Sequence, residues 1–164
     1  MSIYEGQPIE RNGVTLHPPD VVAVTAALAS ADLEENQWMP WHVRAAADDA
    51  IAYFSMSNGG RLVGQAMLHD IDRDGGLGMV GYHIFQANDR GHGTGTAALS
   101  MLCAYAFREL KLPRLVAITG VENIASRRIA EKCGFVCIGA AREGVHLVAY
   151  ERQRAGAVML TAES

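Results

Sequence analysis

The chain has no apolar run approaching the roughly 18 residues a helix needs to cross a bilayer. Its start, Met1 to Gly6, has no basic region followed by an apolar core, the mark of a secretory signal. The expectation is a soluble cytoplasmic protein with no membrane partner. Basic charge is also short. Fourteen Lys and Arg against 18 Asp and Glu leave a formal net charge of -4, and the basic residues are scattered, so nucleic acid is excluded as a partner. Cysteine is scarce: Cys103, Cys133 and Cys137 are odd in number, and Gly134-Phe135-Val136 between the last two makes neither a redox pair nor half of a zinc site. No metal is expected. Internal repeats, low-complexity segments and linkers are absent. The 164 residues fit a single domain over 1–164, large enough to bury a core without disulfides.

What is present is a readable order of elements. Met1 to Arg11 is polar and turn-rich and reads as a loose lead-in. Val14 to His17 reads as a short strand ended by Pro18-Pro19, neither of which continues a ladder. Asp20 is placed to cap a helix through Val21 to Ser30, with Val21, Val24, Ala27 and Leu28 on one stripe. A further helix is expected from Arg44 to about Ile51. Ala52 to Ser57 and Arg61 to Asp70 flank Asn58-Gly59-Gly60, and Asn-Gly between two strand-like runs signals a hairpin. A second turn, Asp72 to Gly76, returns the chain into Leu77 to Phe85. Three antiparallel strands therefore lead to a glycine-rich loop, the last of them central. A helix from about Thr94 to Leu110 and a buried strand, Arg114 to Thr119, follow, which implies that the two strands flanking this helix run parallel. Asn123 caps another helix and Gly134 stops it. Val136 to Ala141 and a strand-like tail, broken at 142–144 and again at 152–156, complete the sheet.

The loop itself is Arg90-Gly91-His92-Gly93-Thr94-Gly95-Thr96. Glycine at alternate positions removes the β-carbons that would hold a ligand off the backbone and permits positive φ. The first amides of the following helix lack intrahelical partners and carry the positive end of its dipole, so the loop reads as a pyrophosphate cradle. A tight strand-to-helix turn with no ligand gives the same pattern. Upstream, Trp38-Met39-Pro40-Trp41 beside Glu34 and Glu35 could rim a pocket, although large aromatics more often plug a core.

Arg90 to Gly95 resembles the Arg/Gln-x-x-Gly-x-Gly/Ala signature of the GCN5-related N-acetyltransferases, and Glu122-Asn123-Ile124-Ala125-Ser126 through Lys132-Cys133-Gly134-Phe135 is similar to a second segment of that family. Gly81-Tyr82-His83-Ile84 and Trp38-Met39-Pro40-Trp41 are similar to its RimJ/RimL-like branch, which acetylates ribosomal-protein N-termini. The resemblance covers most of the chain in the right order. It implies an α+β fold, a mostly antiparallel mixed sheet of about six to seven strands splayed at the centre with about four helices. It implies acetyl-coenzyme A as cosubstrate, its pyrophosphate on Arg90, Gly91, His92, Gly93, Thr94, Gly95 and Thr96. The pantetheine would pair with Ile84, Phe85 and Gln86, because splayed strands leave backbone groups in need of partners. Asn123 would bond near the acetyl end and Ser126 would lie beside the arm or the sulfur.

Acetyl transfer to an amine needs a neutral amine, a stabilised oxyanion and a proton for the leaving thiolate. The family transfers directly, so Cys103 and Cys133 are not expected to be nucleophiles. The tyrosine that many relatives carry ahead of the Lys-x-Gly-Phe stretch is Ala130 here, and Ser126, one turn earlier on the same helix face, is the substitute acid. Glu34, Glu35 and His83 are the candidate bases. Because an α-amine has a pKa of about 8, a modest base acting through water suffices. The expected partner is an amine-bearing acceptor, a protein N-terminus or a small molecule; a homodimer stays open. Two other readings remain. A dinucleotide-binding domain shares the glycine loop but begins its βαβ series earlier and carries an acidic residue that is missing here before Glu122. A non-catalytic acetyl-coenzyme A sensor is left open by Ala130.

Overall fold

The structure is a computed structural model that describes residues 6–33, 40–142 and 144–155. Among these residues the chain forms eight strands in one mixed sheet and four α-helices. The elements run β1 (Ile9–Arg11), β2 (Val14–His17), α1 (Val21–Ala29), α2 (Trp41–Ala47), β3 (Ala52–Asn58), β4 (Arg61–Asp72) and β5 (Leu77–Ile84). After a 3-10 turn at Ala87–Asp89 come α3 (Thr94–Arg108), β6 (Arg114–Gly120), α4 (Ile124–Lys132), β7 (Val136–Ala140) and β8 (Leu147–Gln153). The sheet order is β1-β2-β3-β4-β5-β6-β8-β7. Every neighbour pair is antiparallel except β5 and β6, which run parallel across the α3 crossover, as the strand-helix-strand pattern requires.

Local chemistry explains the boundaries. The Asp20 carboxylate accepts from the Ala23 N–H at 3.1 Å and starts α1. Gly59 and Gly60 take φ of +60° and +82°, so they form the two-residue turn and leave Asn58 paired with Arg61 as the last rung of the hairpin. At the end of α4, Phe135 N–H bonds to Ala130 O and Gly134 N–H to Glu131 O, with Gly134 at φ +85° and the Phe135 side chain buried beneath. Several expectations need correction. The sheet has one more strand than the upper estimate, because Ile9–Arg11 is not loose but pairs with β2. Helix α2 begins at Trp41, directly after Pro40, and ends at Ala47. Asp48 then folds the chain into a turn, its carboxylate accepting from Ala50 N–H. Val21 is exposed, and α1 buries only Val24 and Leu28. Strand β8 continues through Arg152 and Gln153.

Strand alternation sorts the side chains into two cores. Phe54, Met56, Ala66, Leu68 and Val80 face α3, meeting Leu99, Leu102 and Ala106. Tyr53, Met67 and Phe85 face the other way and pack on Val24, Leu28 and Ala45 from α1 and α2. Between β5 and β6 the ladder holds only from Leu77–Arg114 to Val80–Ala117. Beyond that rung the two strands part and leave a gap.

Candidate functional site

A groove of about 750 Å³ starts at the β5–β6 divergence and runs to the N-terminus of α3, with α4 as its far wall. Its head is the glycine loop. Gly91 and Gly93 both sit at φ +79°, and a Cβ at either would meet nothing within 4 Å. They are glycines for backbone conformation alone, and their flanks stay open. Gly95 has a different reason. A Cβ there would lie 3.1 Å from both the Tyr82 ring and Ile129, so this glycine lets α3 close on β5 and α4. The first bond of α3 runs from Ala97 N–H to Gly93 O, which leaves the amides of Thr94, Gly95 and Thr96 without helical acceptors at the positive end of the dipole.

The other loop side chains divide by what they hold. Arg90 lines the groove but spends its guanidinium on structure, donating to Ile84 O at 2.9 Å and to Asp32 O. His92 Nε2 lies 3.1 Å from Asn88 O, tying the ring back to the 3-10 turn. The Thr94 side chain is buried and its hydroxyl accepts from Asn58. Two cationic groove residues were not anticipated: Arg128 and Lys132, four apart on one face of α4, both line the cavity. That spacing was the available signal. They put cationic charge opposite the α3 amides.

The β4–β5 register decides which backbone edges face the gap. Phe85 N–H bonds to Val63 O at 2.9 Å, and His83 and Gly81 pair in step with it against Gln65 and Met67. Alternation therefore turns the N–H groups of Tyr82 and Ile84 away from β4 and toward the opening. Phe85 cannot serve as expected. Its N–H is taken, its C=O accepts from Asp32 N–H at 2.7 Å, and its side chain belongs to the α1/α2 core. Gln86 donates its side-chain amide to Ser30 O at 2.8 Å and lies outside the groove lining. Of the three, Ile84 keeps an edge to the cavity.

At the floor stand Tyr82, Asn123 and Ser126. Asn123 accepts from Ser126 N–H at 3.1 Å, so it caps α4 and lines the groove at once. The Tyr82 hydroxyl is buried and has no well-formed hydrogen bond among the described residues. Burial pushes it up to about 12, and the nearby Ser126 hydroxyl offsets part of that rise. An orphaned buried hydroxyl is costly, and its persistence beside an open groove marks a place where a ligand atom fits. Ala130 lines the same groove.

On the sheet's other face a second cavity, of about 580 Å³, is lined by His69, Asp70, Met79, Val80 and Ile118. Val80 and Ile118 also line the first, so the two cavities share lining residues where β5 and β6 part. His83 alternates toward this face of β5 yet lines the first groove and not this cavity. Tyr53 donates to Gln65 Oε1 at 2.8 Å, and the Gln65 amide nitrogen lies 3.0 Å from His83 Nδ1. An amide nitrogen only donates, so Nδ1 holds the lone pair and Nε2 the proton. Burial, with His69 adding to it, lowers His83 to about 4. Glu34 and Glu35 lie outside the described residues.

The acetyltransferase (GNAT) domain family matches residues 13–136. The chain belongs to the GNAT acetyltransferase family. Over 88 residues it is 38% identical to YdaF of Bacillus subtilis (strain 168), whose name assigns it as a ribosomal N-acetyltransferase; the match takes in 54% of this chain and 48% of that protein. The chain thus spans about half the length of the curated relatives it matches. Among solved structures, RimL, a ribosomal L7/L12 alpha-N-protein acetyltransferase in complex with coenzyme A, superposes with a TM-score of 0.74 at 17% identity, covering 90% of this chain and 98% of that one. A spermidine N-acetyltransferase chimera from Vibrio cholerae and hSSAT gives 0.75 at 16% identity, covering 88% and 98%. At these identities the two share a fold with this chain, and the fold is the GNAT fold.

Other features of the GNAT domain narrow its chemistry. Burial raises the Cys103 thiol to about 12 and also raises Cys133, whose sulfur lies 3.5 Å from Thr96 O, so neither is poised as a thiolate. Among the described residues no three His, Cys, Asp or Glu side chains gather around a metal position, and no helix is long and apolar enough to cross a membrane.

Proposed function

We propose that this chain is an N-acetyltransferase that moves the acetyl group of acetyl-coenzyme A directly to a primary amine, either a protein or peptide N-terminal α-amine or a small amine, in the cytoplasm. The observation that carries the reading is the orphaned Tyr82 hydroxyl beside Ser126, at the point where the groove reaches the parted strands. The residues present fit the cosubstrate. The free amides of Gly95 and Thr96 and the open flanks of Gly91 and Gly93 suit a pyrophosphate, with Arg128 and Lys132 supplying countercharge. The Ile84 N–H, free on the open edge of β5, suits an amide carbonyl of a pantetheine arm.

Bound acetyl-coenzyme A supplies an acyl carbon activated as a thioester and a thiolate leaving group. The chain's own groups do the rest. Tyr82 N–H, turned toward the gap by the β4–β5 register, donates to the oxygen on which charge develops. Tyr82, held neutral by burial, keeps its proton at neutral pH and gives it to the leaving sulfur, with Ser126 beside it as relay. His83 serves this reading as a donor through Nε2–H, since its Nδ1 lone pair is engaged and its basicity is low. Similarity to a ribosomal N-acetyltransferase, and a fold shared with protein and polyamine acetyltransferases, supports an amine acceptor.

The test is thiol release from acetyl-coenzyme A against α-amino peptides and polyamines, with coenzyme binding followed by calorimetry. Release that depends on an amine is expected. Tight binding with no release against any amine would instead identify a coenzyme sensor on the same fold.

A further inference from the structure

We propose that His69, held by Asp70, is the general base that takes the proton from the acceptor's ammonium group, on the face of the sheet opposite the coenzyme groove. The inference rests on the transferase reading above and adds the residue that makes the amine nucleophilic. His69 Nδ1 lies 2.6 Å from Asp70 Oδ2. A carboxylate only accepts, so Nδ1 carries the proton and Nε2 presents a free lone pair. This is the reverse of His83, whose Nδ1 lone pair is committed to Gln65.

The placement comes from an irregularity in β4. In a regular strand residues 69 and 70 point to opposite faces and cannot touch. Here the β4–β5 register breaks between His69 and Asp72, and Asp70 takes a left-handed φ of +48°. This bulge swings the Asp70 carboxylate back beside its neighbour's ring. Aspartate adopts the left-handed region more readily than most residues, which lets the bulge form at this position. From α2 the Trp41 ring sits 4.9 Å from the His69 ring at 44°, with the Arg44 guanidinium over the indole. The ring is thus oriented from two sides.

Its free nitrogen lies against β5 at Gly81. A Cβ built on Gly81 would lie 3.9 Å from His69 Nε2, so the imidazole reaches over the one β5 residue between Val80 and Tyr82 that has no side chain. Gly81 lines the coenzyme groove, and His69 lines the second cavity, which shares Val80 and Ile118 with that groove. An amine entering on the α2 side therefore meets His69 before it meets the parted strands. His69 Nε2 takes one proton from R–NH3⁺, and the imidazolium charge is faced by Asp70. The freed lone pair forms the C–N bond as the C–S bond breaks. The sulfur keeps the bonding pair and takes the Tyr82 proton, the surplus proton on nitrogen replaces it, and His69 returns its own to solvent. Charged and titratable groups around His69 among the described residues are Asp70 on its own strand, His83 on β5 and Arg44 on α2 behind Trp41.

The experiment measures kcat for thiol release from pH 6 to 9, with a peptide that has a free N-terminal alanine, for wild type, His69→Gln and Asp70→Asn. Asp70 is 75% exposed and asparagine tolerates left-handed φ, so the second variant keeps the fold even if the first does not. For His69→Gln, kcat is expected to fall about 100-fold at pH 7 and the deficit to narrow as the pH passes the amine's own pKa of about 8. Asp70→Asn is expected to fall about tenfold at pH 7, with coenzyme affinity by calorimetry unchanged in both. Wild-type rates in both variants, or a deficit equal at every pH, would overturn the assignment of the base while leaving the transferase reading intact. Coenzyme binding by the wild type with no thiol release against any amine would overturn both.

Discussion

At the scale of single residues, the site is defined by polar groups whose surroundings give them one role each. Tyr82 is the sharpest case. Replacing it by phenylalanine removes a buried hydroxyl that has no well-formed partner, so urea denaturation should show stability unchanged or raised by up to about 1 kcal/mol. Thiol release should nevertheless slow about 100-fold, because the proton for sulfur is gone; a variant that turns over at the wild-type rate would remove Tyr82 from the chemistry. His83 carries a pH signature instead. Its folded pKa of about 4 lies below the unfolded value of 6.5, so the unfolded chain binds more protons between these values. The fold is therefore most stable above pH 6.5 and loses roughly 2 kcal/mol from this group on going from pH 7 to pH 5. His83→Gln should flatten that slope in denaturation curves taken at the two pH values. The sequence pointed to His83 and Ser126 because both flank recognisable segments. It did not point to Tyr82 or His69, because their roles depend on which face of a strand they occupy and on a bulge no residue type announces.

At the scale of elements, the α3 N-terminus and the parted β5–β6 pair make the groove, and the two were not equally legible. Glycine spacing and the strand-helix-strand order marked the loop and the crossover, since both depend on local conformation. The partitioning of loop residues depends on tertiary partners. Thr94, His92 and much of Arg90 turn out to hold the loop together, and Phe85 is committed to β4 and Asp32. Gly93 allows the helix end to be tested by charge alone. Asparagine and aspartate both tolerate its φ of +79° and nothing within 4 Å opposes a Cβ, so Gly93→Asn and Gly93→Asp share whatever strain arises. Aspartate at a helix N-terminus adds about 0.3–1 kcal/mol of stability through the dipole. The same charge repels a pyrophosphate. Gly93→Asp should therefore be at least as stable as Gly93→Asn in thermal melts yet bind coenzyme A about tenfold or more weakly by calorimetry; equal affinities would mean that the anion does not sit there.

At the scale of the whole molecule, one sheet carries two cavities that share lining residues where β5 and β6 part. Most of this architecture could be read from the chain: the hairpin at Gly59-Gly60, the parallel crossover, the caps at Asp20 and Asn123 and the stop at Gly134 all follow from short-range chemistry. The first strand, the true extent of α2 and the run of β8 through Arg152 could not, because pairing with a distant strand overrides weak local preference. The cavity on the α2 side was not visible either, since it is assembled from β4, β5 and β6. The most direct test of the account is a crystal structure of the protein with coenzyme A. The account predicts the pyrophosphate against Gly91 to Thr96, the pantetheine between β5 and β6, and the sulfur within hydrogen-bonding reach of the Tyr82 hydroxyl. Coenzyme bound outside the β5–β6 gap, or a Tyr82 hydroxyl bonded to a group of the protein with the sulfur elsewhere, would contradict it.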